Sequence, residues 1–198
     1  MTRTPQPSPP QPSSAPPRGI VLVPLAPGFE EIEAVTIVDV LRRAEIEVRV
    51  AGLAPGPVRG AHGIELATDC TLAEVDPAEL AMLVLPGGMP GTTNLRADPR
   101  VLALVRALES TGRTVAAICA APTVLAAAGI LEGREATSHP SVRAQLAGAS
   151  VLAQPRVVRS GPVVTSQGVG TALDFALALV EELRGAERAR ALRAAMLA

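Results

Sequence analysis

Residues 20–51 read IVLVPLAPGFEEIEAVTIVDVLRRAEIEVRVA, and two periodicities succeed each other within them. Residues 20–25 are a short, wholly apolar run, the mark of a strand covered on both faces. Pro24 has no N–H to give to a ladder, so the strand is expected to end about there. Residues 30–44 then repeat apolar side chains at helical spacing through Ala34, Ile37, Val38 and Leu41. Arg42 and Arg43 stand near the end of that run, where the helix dipole favours cations. A second strand over 46–51 follows directly. Strand, helix and strand in this order make a βαβ unit, which requires a parallel sheet.

The alternation continues outward from that unit. Strands are expected at 82–85, 114–118 and 163–166, and helices at 99–109, 122–128 and 171–183. The fold class is therefore α/β, a mostly parallel sheet with helices on both faces. Segments 55–70 and 149–160 read as short strands, with antiparallel pairing open to both. A short helix is expected at 141–146. A final helix at 186–197, rich in Ala and Arg, suits a cap on the domain or a subunit contact.

Length and composition narrow the function classes. The chain has 198 residues, 48% hydrophobic and 19% charged, enough for one substantial core. Residues 1–18 hold seven of its 19 prolines and almost no apolar side chain, so they are expected to form a disordered tail before a single domain at 19–198. A net charge of -1 supplies no basic field for nucleic acid or an anionic membrane. Phe29 and Phe175 are the only aromatics, which argues against stacking bases on aromatic platforms. Cys70 and Cys119 are too few for a disulfide framework or a four-cysteine zinc site. No apolar run approaches the roughly 20 residues of a membrane span, and no secretory leader opens the chain, so a cytoplasmic location is expected. There is no phosphate loop, no metal-spaced histidine pair and no dinucleotide fingerprint, so neither a cofactor nor a metal is expected.

Ligands of open α/β sheets bind beyond the carboxyl ends of the strands. Four loops fall there, at 28–33, 86–91, 119–122 and 167–170. Cys119 lies between a strand and a helix in Ala117-Ile118-Cys119-Ala120-Ala121-Pro122, with small residues two before and two after it, as a sharp nucleophile turn requires. The following helix is expected to lower its thiol pKa. Its bland alternative is a small buried apolar side chain. Helical spacing sets Glu33 on the inward stripe of Ile37, Val40 and Leu41, where partial burial would tune it for proton transfer; the alternative is a first-turn acid placed for the dipole. Gly87 and Gly88 can bring main-chain N–H groups to a ligand, and the N–H groups of Gly88 and Ala120 are candidates for an oxyanion hole. His139, in Thr137-Ser138-His139-Pro140, is a candidate base beside the thiol or a surface residue. His62 reads as a turn residue, and Cys70 carries no assigned role.

Taken together, Gly28-Phe29-Glu30-Glu31-Ile32-Glu33, Leu85-Pro86-Gly87-Gly88, Ala117-Ile118-Cys119-Ala120, Thr137-Ser138-His139-Pro140 and Thr165-Ser166-Gln167-Gly168-Val169-Gly170-Thr171 resemble the ThiJ/PfpI family. The resemblance runs in order over residues 19–184 and is nearest to the branch of the parkinsonism-associated protein deglycase. It implies a flavodoxin-like three-layer sandwich and a homodimer. It implies Cys119 as nucleophile, Glu33 as the acid beside the sulfur, His139 as the nearby imidazole, and Gly88 with Ala120 as oxyanion donors. The implied activity is cofactor-free chemistry on a small carbonyl substrate: conversion of methylglyoxal to lactate, removal of early glycation adducts, or both. Two other readings share the motif, a redox-sensing or chaperone-like protective protein and an intracellular cysteine peptidase. His62 replaces an arginine frequent in close relatives, which removes a fixed cation from the site mouth. No acidic residue stands two positions after His139, which argues against amide transfer.

Overall fold

A computed structural model describes residues 19–198; the reading of 1–18 as a tail lies outside the described residues. The strands are β1 (Ile20–Leu25), β2 (Val48–Gly52), β3 (Val58–Arg59), β4 (Glu65–Leu66), β5 (Cys70–Thr71), β6 (Leu80–Leu85), β7 (Thr114–Ile118), β8 (Glu135–Ala136), β9 (Ser150–Val151), β10 (Val157–Ser160) and β11 (Val163–Ser166). The helices are α1 (Glu31–Arg43), α2 (Gly91–Ala97), α3 (Pro99–Ser110), α4 (Pro122–Ala127) and α5 (Ala172–Ala195). Seven strands form one sheet in the order β10-β11-β7-β6-β1-β2-β5. All neighbours run parallel except the β10–β11 hairpin.

Strand side chains alternate between two cores because successive residues point to opposite faces. Val21, Val23, Leu25, Met82, Val84, Ala116 and Ile118 meet α1 and α5 on one face. Leu22, Leu83, Leu85, Val115 and Ala117 meet residues of α3 and α4 on the other. Phe29 and Phe175 are both fully buried, so the two aromatics serve the core. The three-layer α/β sandwich is the expected one.

β1 ends one residue past Pro24, as expected. Pro24 stands in register with Ala51, while the pairing with β6 reaches only Leu22, so its missing N–H faces no demand from that side. Several details differ from the sequence reading. The segment 55–70 contains the antiparallel β3–β4 hairpin but ends in β5, which pairs parallel to β2. β9 pairs parallel with β8, whereas β10 is antiparallel to β11. The segment expected as a helix at 141–146 is a 3-10 turn, Pro140–Gln145. The two helices expected at 171–183 and 186–197 are present as the two arms of α5, parted where Gly185 takes a non-helical φ of 83. Among the described residues, no helix is long and apolar enough to cross a membrane.

Candidate active site

The four loops meet beyond the ends of β1, β6, β7 and β11. Glu30 donates its N–H to Gly87 O at 2.9 Å, joining the first two, and Cys119 donates its N–H to Ser166 O at 3.1 Å, joining the last two. Cys119 takes φ 63, a left-handed backbone that costs a side-chain-bearing residue about 1–2 kcal/mol. Ala117 and Ala121 on either side are fully buried, so only methyl groups crowd the turn. Its carbonyl accepts the His139 N–H at 2.8 Å, which ties the 137–140 loop to the same elbow.

Glu33 is fully buried, although it is an acid in the first turn of a helix. Glu30 caps that helix, its Oε2 accepting the Glu33 N–H at 2.7 Å, so the capping task expected of first-turn acids is already filled. Glu33 Oε2 instead accepts the Gly87 N–H at 2.8 Å, across the sheet edge. Its Oε1 has no partner, and the Cys119 thiol sits against the carboxyl. Burial pushes the Glu33 carboxyl up to about 7, against the lowering pull of the Gly87 N–H and the thiol.

The sulfur differs from its expectation. Burial, then the Glu33 charge, push the Cys119 thiol up to about 12, where the helix dipole was expected to lower it. α4 is too short and begins too late to outweigh that desolvation. The N–H groups of Ala120 and Gly88 aim at Sγ itself and oppose the rise. Between about 7 and about 12 the Glu33–Cys119 pair therefore holds one proton that belongs to both groups.

Two glycines make this closeness possible. A Cβ at Gly87 would stand 2.6 Å from Cys119 Cβ and 2.8 Å from Glu33 Oε2. Gly88 takes φ 94, and a Cβ there would overlap the backbone of Phe29 and Glu30. Gly87→Ala is expected to destabilise the fold by about 1–3 kcal/mol as an overpacking change, read as a lowered thermal midpoint.

The remaining candidates are less tightly held. His139 is exposed, its Nδ1 2.8 Å from Ser141 Oγ, and its Cδ2 edge faces Gly168 beside the sulfur; no hydrogen bond joins the ring to Sγ. The sequence brings His139 to the rim, and its ring is oriented by Ser141. His62 sits in the turn after β3, as expected, but is more than a turn residue. Buried Glu31 accepts its N–H at 2.6 Å and lies 2.9 Å from its Nδ1. The donor atoms of Glu30, Glu31 and His62 fall within 4.8 Å of one another, yet the helix cap and the Glu31–His62 contacts already engage them. Thr171, quoted in the sequence motif without a role, gathers Gly168 N–H at 3.1 Å and Ser166 Oγ at 2.7 Å on its hydroxyl, closing the 167–170 loop.

The chain is similar to known proteins over most of its length. A family profile described as DJ-1/PfpI family matches residues 20–182. Protein dj-1beta of Drosophila melanogaster is 45% identical over 169 residues, covering 84% of this chain and 90% of that protein. The glutathione-independent glyoxalase DJR-1.2 of Caenorhabditis elegans is 38% identical over 164 residues, covering 82% of this chain and 87% of that protein. The crystal structure of Drosophila melanogaster DJ-1beta superposes with a TM-score of 0.88 at 42% identity, covering 90% of this chain and 97% of that one.

Proposed function

The chain belongs to the DJ-1/PfpI family, and we propose on that premise that it is a cofactor-independent cysteine enzyme converting methylglyoxal to lactate without glutathione. The observation that carries the reading is the buried Glu33 carboxyl, pushed up to about 7 and set against a sulfur that two main-chain N–H groups already face. A base with a pKa near the working pH moves protons most effectively. Glu33 takes the thiol proton as sulfur adds to the aldehyde carbon, and the new oxyanion receives a proton to give a hemithioacetal. Glu33 then removes the proton on C1 and passes it to the ketone oxygen, giving an enediol; Glu33 takes the C1 hydroxyl proton and delivers it to C2, which leaves a lactoyl thioester on Cys119. Water hydrolyses that thioester to lactate and restores the thiol. The N–H groups of Gly88 and Ala120, which face sulfur in the free protein, hold negative charge at the sulfur and the adjoining oxygen.

The test is lactate formation from methylglyoxal in the absence of glutathione, followed against pH. The singly protonated Glu33–Cys119 pair is the active form, so kcat/KM should rise as pH passes through about 7 and stay high to alkaline pH. A rate that falls through the same interval, or no lactate at any pH, sinks the reading.

A second reading has its own observation. The N–H groups of Ala120 and Gly88 favour an anion at sulfur, and Glu33, whose raised pKa lets it stay protonated below about 7, can donate to one, which suits a sulfinate made by two successive peroxide oxidations of Cys119. Intact mass after mild peroxide should then show two added oxygen atoms at Cys119 and none at Cys70, together with negligible lactate.

The apolar surface supports a dimer. Ile32 and Val35 on α1 are 56% and 47% exposed, and Ile64 in the neighbouring hairpin is 57% exposed. Grouped exposed apolar side chains favour a self-complementary contact. Sedimentation should give twice the chain mass, falling to one chain mass in Ile32→Glu/Ile64→Glu; a wild-type monomer refutes this.

A further inference from the structure

The wall beside the sulfur is the 167–170 loop, Gln167-Gly168-Val169-Gly170, which is gripped from outside as well as by Thr171. A Cβ at Gly168 would stand 3.9 Å from Cys119 Sγ and 3.7 Å from His139 Cδ2, so this backbone borders the opening to the reacting atom. Thr171 closes the loop from within at Gly168, and Gln167 Nε2 ties its start to the carbonyls of Ala153 and Pro155, which leaves the Gly170 carbonyl free for a contact from outside. Arg156, just ahead of β10, donates through Nη2 to Gly170 O and receives the Ser166 hydroxyl on its carbonyl at 2.7 Å. The Nε of the same guanidinium donates to Asp174 Oδ2 at 2.6 Å. The other Asp174 oxygen accepts from Arg193 Nη2 at 2.8 Å, beyond the kink at Gly185. One carboxylate thus clamps two guanidiniums, and one of those grips the loop beside Cys119.

Stability alone is a weak reason for the clasp. Its side chains are 58%, 30% and 43% exposed, and ion pairs so exposed contribute little to folding. Geometry gives it a stronger role, because its one contact with the loop is at the carbonyl of Gly170, two residues from the wall of the sulfur pocket.

We propose that Arg156 is a positioning residue for Cys119, acting through the 167–170 loop, and that Arg193 holds it in place through Asp174. The last turns of α5 thereby set the surroundings of a sulfur at the far end of the loop. The proposal rests on Cys119 being the reacting group, and it can be tested without any carbonyl substrate. In the full chain carrying Cys70→Ser, the rate of Cys119 alkylation by iodoacetamide is measured from pH 6 to pH 10.

Arg156→Ala should change that rate by about threefold or more, Arg193→Ala should change it in the same direction by less, and Arg156→Lys should restore part of it. Arg190→Ala removes a charge from the same stretch of α5 outside the clasp and should leave the profile unchanged. An Arg156→Ala profile that overlays the parent, whatever its thermal midpoint, overturns the proposal; so does an equal change in Arg190→Ala, which would assign the effect to bulk charge. If Arg156→Ala does not fold, Arg193→Ala and Arg156→Lys decide on the same readout. Lactate formation with a clasp-insensitive thiol rejects the clasp and keeps the enzyme, whereas a clasp-sensitive thiol without lactate does the reverse.

Discussion

Cys119→Ala is expected to reduce lactate formation to the uncatalysed background, a loss of roughly four orders of magnitude or more. The carbon of the aldehyde has no other soft nucleophile to meet: Cys70 lies on β5 at the sheet border, and burial raises its thiol pKa as well. The variant also separates the chemistry from the architecture. Alanine keeps a Cβ on the left-handed backbone at φ 63, so the strain of the elbow persists while the sulfur goes. Cys119→Gly releases that strain and should be more stable than Cys119→Ala by about 1 kcal/mol, at the same null activity. Turnover surviving in either variant would remove Cys119 from the mechanism, and equal stability of the two would mean that the elbow stores no strain.

Glu33→Gln is expected to abolish turnover and stabilise the protein at the same time. The sign follows from the raised carboxyl. An unfolded glutamate releases its proton near 4.5, whereas in the folded protein Glu33 keeps it to about 7. Below 4.5 both states are protonated and the group is neutral to folding. Between 4.5 and 7 the unfolded state ionises first, so stability declines as pH rises. Above 7 the full cost is present, about 3 kcal/mol. Glutamine keeps an oxygen for the Gly87 N–H and cannot ionise. Urea midpoints should therefore show Glu33→Gln more stable than wild type at pH 8 and nearly equal to it at pH 4. A variant equally destabilised at both pH values would mean that the carboxylate is not held at a cost. The loss of activity should exceed about a hundredfold, because an amide cannot take the thiol proton.

How much of this was legible in the chain depends on the kind of signal. Strands β1, β7 and β11 carry short apolar runs with clear ends, and their bounds agree with the sequence reading. α2 was not foreseen, because Gly91-Thr92-Thr93-Asn94 has no apolar stripe; tertiary packing of Leu95 forms it. Helical spacing turned Glu33 inward and the elbow set Cys119 at the carboxyl edge of the sheet, but that the acid lies beside the sulfur came from the family resemblance, since spacing alone left Glu33 open as a first-turn acid. The ionisation of that pair did not follow. A helix start suggested a lowered thiol, but desolvation and a neighbouring carboxylate are three-dimensional quantities. The ring orientation of His139 was equally out of reach, being set by Ser141 and by the turn after Pro140. Arg156 and Asp174 are 18 positions apart and belong to no motif, so nothing in the order of residues announces that they meet.

The sheet's two borders have a bearing on how the protein survives at high concentration. One border, β5, is two residues long, and the other, β10, carries the exposed Arg159 reaching toward Glu181 and Glu182. A stray extended polypeptide needs a long, uncharged rim on which to template, and neither side supplies one. The interior strands can therefore be almost uninterrupted runs of valine, leucine and alanine without seeding fibrils, because the chain never presents them at a margin.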